Sequence, residues 1–251
     1  MNKTRITLFV ATFFFSFRAV ASDPADIHTL KVQITNAMAS FYMYQGLDAD
    51  LKYANRVDNS MASAYAAASR IISGSEDEIP ADTASDLVKR WDHFNSLMAA
   101  NRKDIVTRGY PDMRLVNDMG DACLALITAA DQLEKTGEVS EVTSLARALA
   151  FRMSDITSQY TGRGTSYLGQ VFVGYQEQSP KEMAEDFEQL LNKLDAVIPE
   201  EDELRVSAIR HKWEFLSRSI SNYNENSVPF LVVNYNDSIV EALHQLAASY
   251  E

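Results

Sequence analysis

One cysteine, Cys123, stands in a chain of 251 residues, so no internal disulfide can form and stability must come from packing. Its neighbours Ala122, Leu124 and Leu126 mark it as a small buried apolar residue. Glycine (9) and proline (6) are scarce, and no stretch keeps the apolar–polar alternation of a half-buried strand. A β-rich fold is therefore excluded. There is no C-x-x-C-H haem motif, no G-x-S-x-G elbow, no glycine-rich phosphate loop and no H-E-x-x-H helix. The four histidines (28, 93, 211, 244) lack metal spacing. Glu241–His244 is a lone E-x-x-H, where a di-metal bundle needs two such pairs and two further carboxylates. These absences read as a non-enzymatic protein with no cofactor and no metal.

Positive charge is also in deficit. The formal net charge is −12, which disfavours nucleic acid and anionic lipid as partners. Long apolar runs are missing too. The nearest, ITLFVATFFFSF from Ile6 to Phe17, is too short for a bilayer span of about 20 residues. It follows Lys3 and Arg5 and precedes Ala19-Val20-Ala21, the three-part pattern of a secretory signal peptide. Cleavage after Ala21 is expected, giving an exported protein, periplasmic or else fully secreted, that begins at Ser22 and inserts in no membrane. Loss of Lys3, Arg5 and Arg18 takes the formal charge from −12 to −15.

What is present is helical periodicity. Ile27, Leu30, Ile34, Ala37, Met38 and Phe41 recur at three- and four-residue steps, one face of a helix over 24–45. Gly46 is read as its breaker. Further helices are expected over 48–73, from Pro80 to Gly109, from Pro111 to Gly137, from Ser140 to Tyr160, and from Pro180, Pro199 and Pro229 onward. TGRGTSYLGQVFVGYQEQ (161–178) reads as a long functional loop. The fold class expected is all-α, two tandem antiparallel four-helix modules, 22–137 and 138–251, with a break near 134–138.

The halves share landmarks in order. Trp91 and Trp213 are mid-helix core anchors, Leu115-Val116-Asn117-Asp118 corresponds to Val232-Val233-Asn234-Tyr235, and Met38 corresponds to Met153. This order reads as an internal duplication.

RALAFRM, residues 147–153, places two arginines in an otherwise amphipathic helix. At about 100° per residue, Arg152 falls about 60° from Leu149, on the core stripe, while Arg147 falls on the opposite, outer face with Phe151. Arg152 must then snorkel, pair with an acid or hold a ligand. An aromatic beside Arg147 implies a covered surface, such as a dimer contact.

The heptapeptide resembles the R-M-L-S-Q-R-M motif of PilJ-type and NarX/NarQ-type periplasmic sensor domains. Arg147, Leu149, Arg152 and Met153 match, Ala150 takes the Ser place, and Ala148 and Phe151 depart. Residues 222–251 resemble the closing helix of that module, and Trp213 fits its third helix. In the first half Ile34-Thr35-Asn36-Ala37-Met38 stands at the motif, with both arginine places lost to Val32 and Ala37.

The resemblance implies Arg147, with Arg152 and Phe151, as a ligand site for a small anion or organic acid at a dimer interface. It also implies a transmembrane receptor or a second copy as partner in signal transduction. The other reading is a scaffold module that has lost ligand binding.

Overall fold

A computed structural model describes residues 23–74, 81–133, 139–164, 178–222 and 228–251. Among them are α1 (Pro24–Gly46), α2 (Leu51–Gly74), α3 (Ala81–Arg108), α4 (Met113–Leu133), α5 (Glu141–Gly164), α6 (Pro180–Val197), α7 (Glu203–Ser221) and α8 (Pro229–Ala248), with one 3-10 turn at Glu200–Asp202. The described residues contain no strand, so the all-α expectation holds. No helix among them is long and apolar enough to cross a membrane. The leader (1–21), the break at 134–138 and most of the loop (165–177) lie outside the described residues.

Local chemistry sets the ends. The Asp23 carboxylate accepts from the Ala25 amide, with Pro24 at the first helical position of α1, where its missing N–H costs nothing. Ser179 and Glu182 form a reciprocal capping box on α6. The Ser179 backbone amide holds the Glu182 carboxyl below its ordinary range. Several boundaries differ from the sequence reading: α2 starts at Leu51 rather than 48, α4 at Met113 rather than Pro111, and Pro199 opens a 3-10 turn, with α7 itself starting at Glu203. Gly46 is the last residue of α1, and the reversal is made by Asp48 and Ala49, both left-handed at φ 51° and 64°. In addition, α5 runs on through Thr161, Gly162 and Arg163 to Gly164.

The apolar residues gather into two cores. One joins Ile27, Ile34, Phe41, Val57, Ile71, Trp91, Phe94, Met119 and Leu126 from α1–α4. The other joins Leu149, Met153, Phe187, Leu191, Trp213, Leu216, Ile239 and Leu243 from α5–α8. Each borrows one residue from the other set: Val233 of α8 enters the first core and Val32 of α1 the second. Both tryptophans are buried. Trp213 lies 4.1 Å from Phe187, centroid to centroid, and its indole donates to Glu188 at 2.8 Å.

Burial follows one register in both sets. The buried Val116, Met119, Ala122, Cys123 and Leu126 of α4 have their match in Val233, Asn236, Ile239, Val240 and Leu243 of α8, at the same spacings. Leu87, Trp91, Phe94 and Met98 of α3 are matched in the same way by Ile209, Trp213, Leu216 and Ile220 of α7.

The sets meet along α1 and α5. α1 is buried on nearly every side, from Ile27 and His28 through Tyr44, as expected of a helix enclosed by neighbours. Gly162 of α5 abuts the Tyr42 ring, where an added Cβ would sit 3.0 Å from the ring edge. α8 runs antiparallel to α1, since His28 meets His244 and Asn36 meets Asn236. A two-pronged Arg56–Asp237 pair, 2.7 Å at each prong, ties α2 to α8.

Candidate functional site

The three residues singled out in RALAFRM do not converge. Arg147 lies in a cleft of about 290 Å³ lined by Asp23, Val139, Ser140, Tyr250 and Glu251. Its Nη2 donates to Oε1 of Glu251 at 2.5 Å. Arg152 sits on the α5–α6 seam, where Nη1 donates to the side-chain Oε1 of Gln178 at 3.0 Å and the guanidinium stands 3.5 Å from the carboxylates of Asp155 and Asp186. Gln178 in turn donates to Asp186 at 2.9 Å. Phe151 packs against the second core, and the Lys31 ammonium stands 4.8 Å from its ring centroid.

The order of burial is therefore reversed from the helical wheel. The Arg147 side chain, expected on an outer face, is 11 % exposed, while Arg152, expected to lean inward, is 27 % exposed. The reason is tertiary: α1 of the same chain covers the outer face of α5. The aromatic beside Arg147 does mark a covered surface, and Lys31 of α1 supplies the cover. Arg152 takes the expected alternative of pairing with acids, which keeps its charge compensated.

Local sequence fixes the cleft. Ser140 Oγ accepts from the Thr143 amide at 3.0 Å and so caps α5. The Thr143 hydroxyl donates to the Ala247 carbonyl at 3.1 Å, docking the start of α5 on the end of α8. After α8 the chain is held by side chains. Tyr250 Oη donates to Asp202 at 2.7 Å, and Arg205 donates to both Asp202 (3.0 Å) and Ser249 Oγ (3.2 Å). The hydrogen bond to Asp202 pushes the Tyr250 phenol up to about 12.

Sequence reasoning missed the neighbours of Arg147. His28 and His244, 216 residues apart in the chain, face each other with Nε2 atoms 3.0 Å apart and ring planes at 89°. One ring must donate and the other accept. Burial holds the His28 imidazole well below its ordinary range, and the charge placed by His244, Arg147 and Lys31 lowers it further. His244 is lowered by burial and by Arg147, with Glu241 acting in the opposite sense. Both rings are thus neutral near pH 7. No local motif could have found this pair, because each histidine lies alone on its own helix.

Chemically the cleft offers one fixed guanidinium, whose planar donors suit an oxyanion, beside the carboxylates of Asp23 and Glu251. No group of three or more His, Cys, Asp or Glu able to hold a metal exists among the described residues. No family model, no curated protein and no solved structure matches this chain.

Proposed function

We propose that this chain is a periplasmic, non-enzymatic sensor or binding protein of two tandem four-helix modules, and that Arg147 binds a small anion. The matched burial register of α3 with α7 and α4 with α8 supports the duplication. α1 and α5 are then equivalent helices, and their seam stands in for the dimer interface of the sensor domains it resembles. The observation that carries the reading is the position of Arg147: a nearly buried guanidinium in a cleft at that seam.

The leader and the exported location remain tied to the pattern of residues 1–21, and a membrane receptor is the partner to which such a module would report. The test is titration calorimetry of the purified chain with nitrate and with small carboxylic acids. Binding is expected, with a loss of at least about tenfold in Arg147→Ala and unchanged helix content. Heat-silent titrations across both ligand classes would overturn it.

The scaffold reading has one observation in its favour. The position equivalent to Arg147 in α1 is Val32, buried in the second core, so only one of two symmetric sites keeps its cation. On that reading Arg147→Ala changes stability slightly and nothing else.

A further inference from the structure

We propose that the Glu251 carboxylate is a built-in occupant of the Arg147 site, and that the ligand is a small monocarboxylate that enters by displacing it. This rests on the reading of Arg147 as an anion-binding residue and names its ligand class and its competitor.

The contact is lopsided. The Glu251 side chain is 43 % exposed and Arg147 only 11 %. The cation is therefore part of the framework and the carboxylate is the exchangeable partner. Among the described residues the guanidinium makes one hydrogen bond, Nη2 to Oε1 at 2.5 Å. A carboxylate free to orient can take two parallel N–H···O bonds from the same fork, which is the stronger arrangement. A tethered glutamate that takes one leaves that gain to a diffusible ligand.

Release of Glu251 need not undo the segment that carries it. Tyr250 remains bonded to Asp202 and Ser249 to Arg205, so the backbone beside the cleft stays docked while one side chain swings out. The cleft also limits which acids can enter. Its volume of about 290 Å³ admits an acid of a few carbon atoms with room to spare, so charge rather than size does the selecting. Asp23 on its wall repels a second negative charge, which selects against dicarboxylates. Val139 and Tyr250, which also line the cleft, offer apolar surface for a short alkyl substituent.

The experiment uses the full chain and titrates acetate, propionate, succinate and nitrate into the unaltered protein, Glu251→Ala, Glu251→Gln and the double variant Arg147→Ala/Glu251→Ala. Glu251→Ala should bind acetate and propionate roughly two- to fivefold more tightly, the loss of one exposed ion-pair competitor. Glu251→Gln, which keeps an amide oxygen for Arg147, should fall between, and the double variant should not bind. Equal affinities in the unaltered protein and Glu251→Ala would overturn the competitor role while leaving Arg147 as a ligand residue. Nitrate binding without acetate binding would overturn the ligand class. Silence in every variant, Glu251→Ala included, would overturn this inference and the function reading together.

Discussion

His28 and His244 show how a pair of histidines with no motif around them acquires a pH dependence. Their facing Nε2 atoms can share one proton but cannot comfortably hold two. The charged groups around them are Lys31 on α1, Arg147 on α5 and Glu241 on α8, cations on two sides and one anion. Both imidazoles are held below the ordinary value of 6.5 in the folded chain. Between that value and the lowered one the unfolded chain binds more protons than the folded one, so stability rises with pH there. The stabilisation is complete above about 6.5 and is lost as pH falls below it. The melting temperature should drop between pH 7 and pH 5. The drop should be smaller in His28→Gln/His244→Gln; an identical pH profile in that variant would remove the pair from the account.

Cys123 belongs to the same scale. The residue is 7 % exposed, and burial pushes its thiol up to about 12, so almost no thiolate is present near neutrality. Labelling by a thiol reagent should be slow in the native protein and should track unfolding in urea. Rapid native labelling would contradict its burial.

At the scale of single helices, the ends were mostly legible. Pro24, Pro180 and Pro229 begin helices where proline's fixed φ is tolerated, and Ser179→Ala should cost about 1 kcal/mol by loss of its cap. The end of α5 was not legible. A glycine-rich stretch after Tyr160 reads as loop by propensity, yet Gly162 is helical because the Tyr42 ring of α1 occupies the space of its missing side chain. Packing there outweighs propensity. Gly162→Val should lower stability by about 1–3 kcal/mol through overpacking, measured by urea unfolding. An unchanged midpoint would mean that Tyr42 moves aside. The α1–α2 turn escaped in a similar way: Ala49 adopts φ 64° without glycine, a conformation that costs an L-residue roughly 1–2 kcal/mol and that no propensity scale would assign to alanine.

Across the whole molecule, the two cores are tied too closely to melt apart. Val32 and Val233 are exchanged between them, and His28–His244, Asn36–Asn236 and Arg56–Asp237 span the two helical sets. A single unfolding transition is expected. Trp91 lies in the first core and Trp213 in the second, so Trp213→Phe leaves one reporter on the first and Trp91→Phe one on the second. Their fluorescence midpoints should each coincide with that of helix content in the same variant. Fluorescence that leads or lags the loss of helix would show two independently stable halves.

The helices and their inward stripes were readable from residue order alone, because hydrophobic period and proline position act over a few residues and need no distant partner. Residue order also supplied the landmarks that pair Trp91 with Trp213 and Met38 with Met153. Which face of α5 is covered depends on how the helices pack. The helical wheel sorted Arg147 and Arg152 against one bundle core, and α1 packing on α5 reversed the order. Packing likewise decided that Arg147 meets Glu251 and lies near the His28–His244 pair, since those partners come from α1 and the segment around α8. Charge pairing across such separations depends on how helices pack, and no local spacing encodes it.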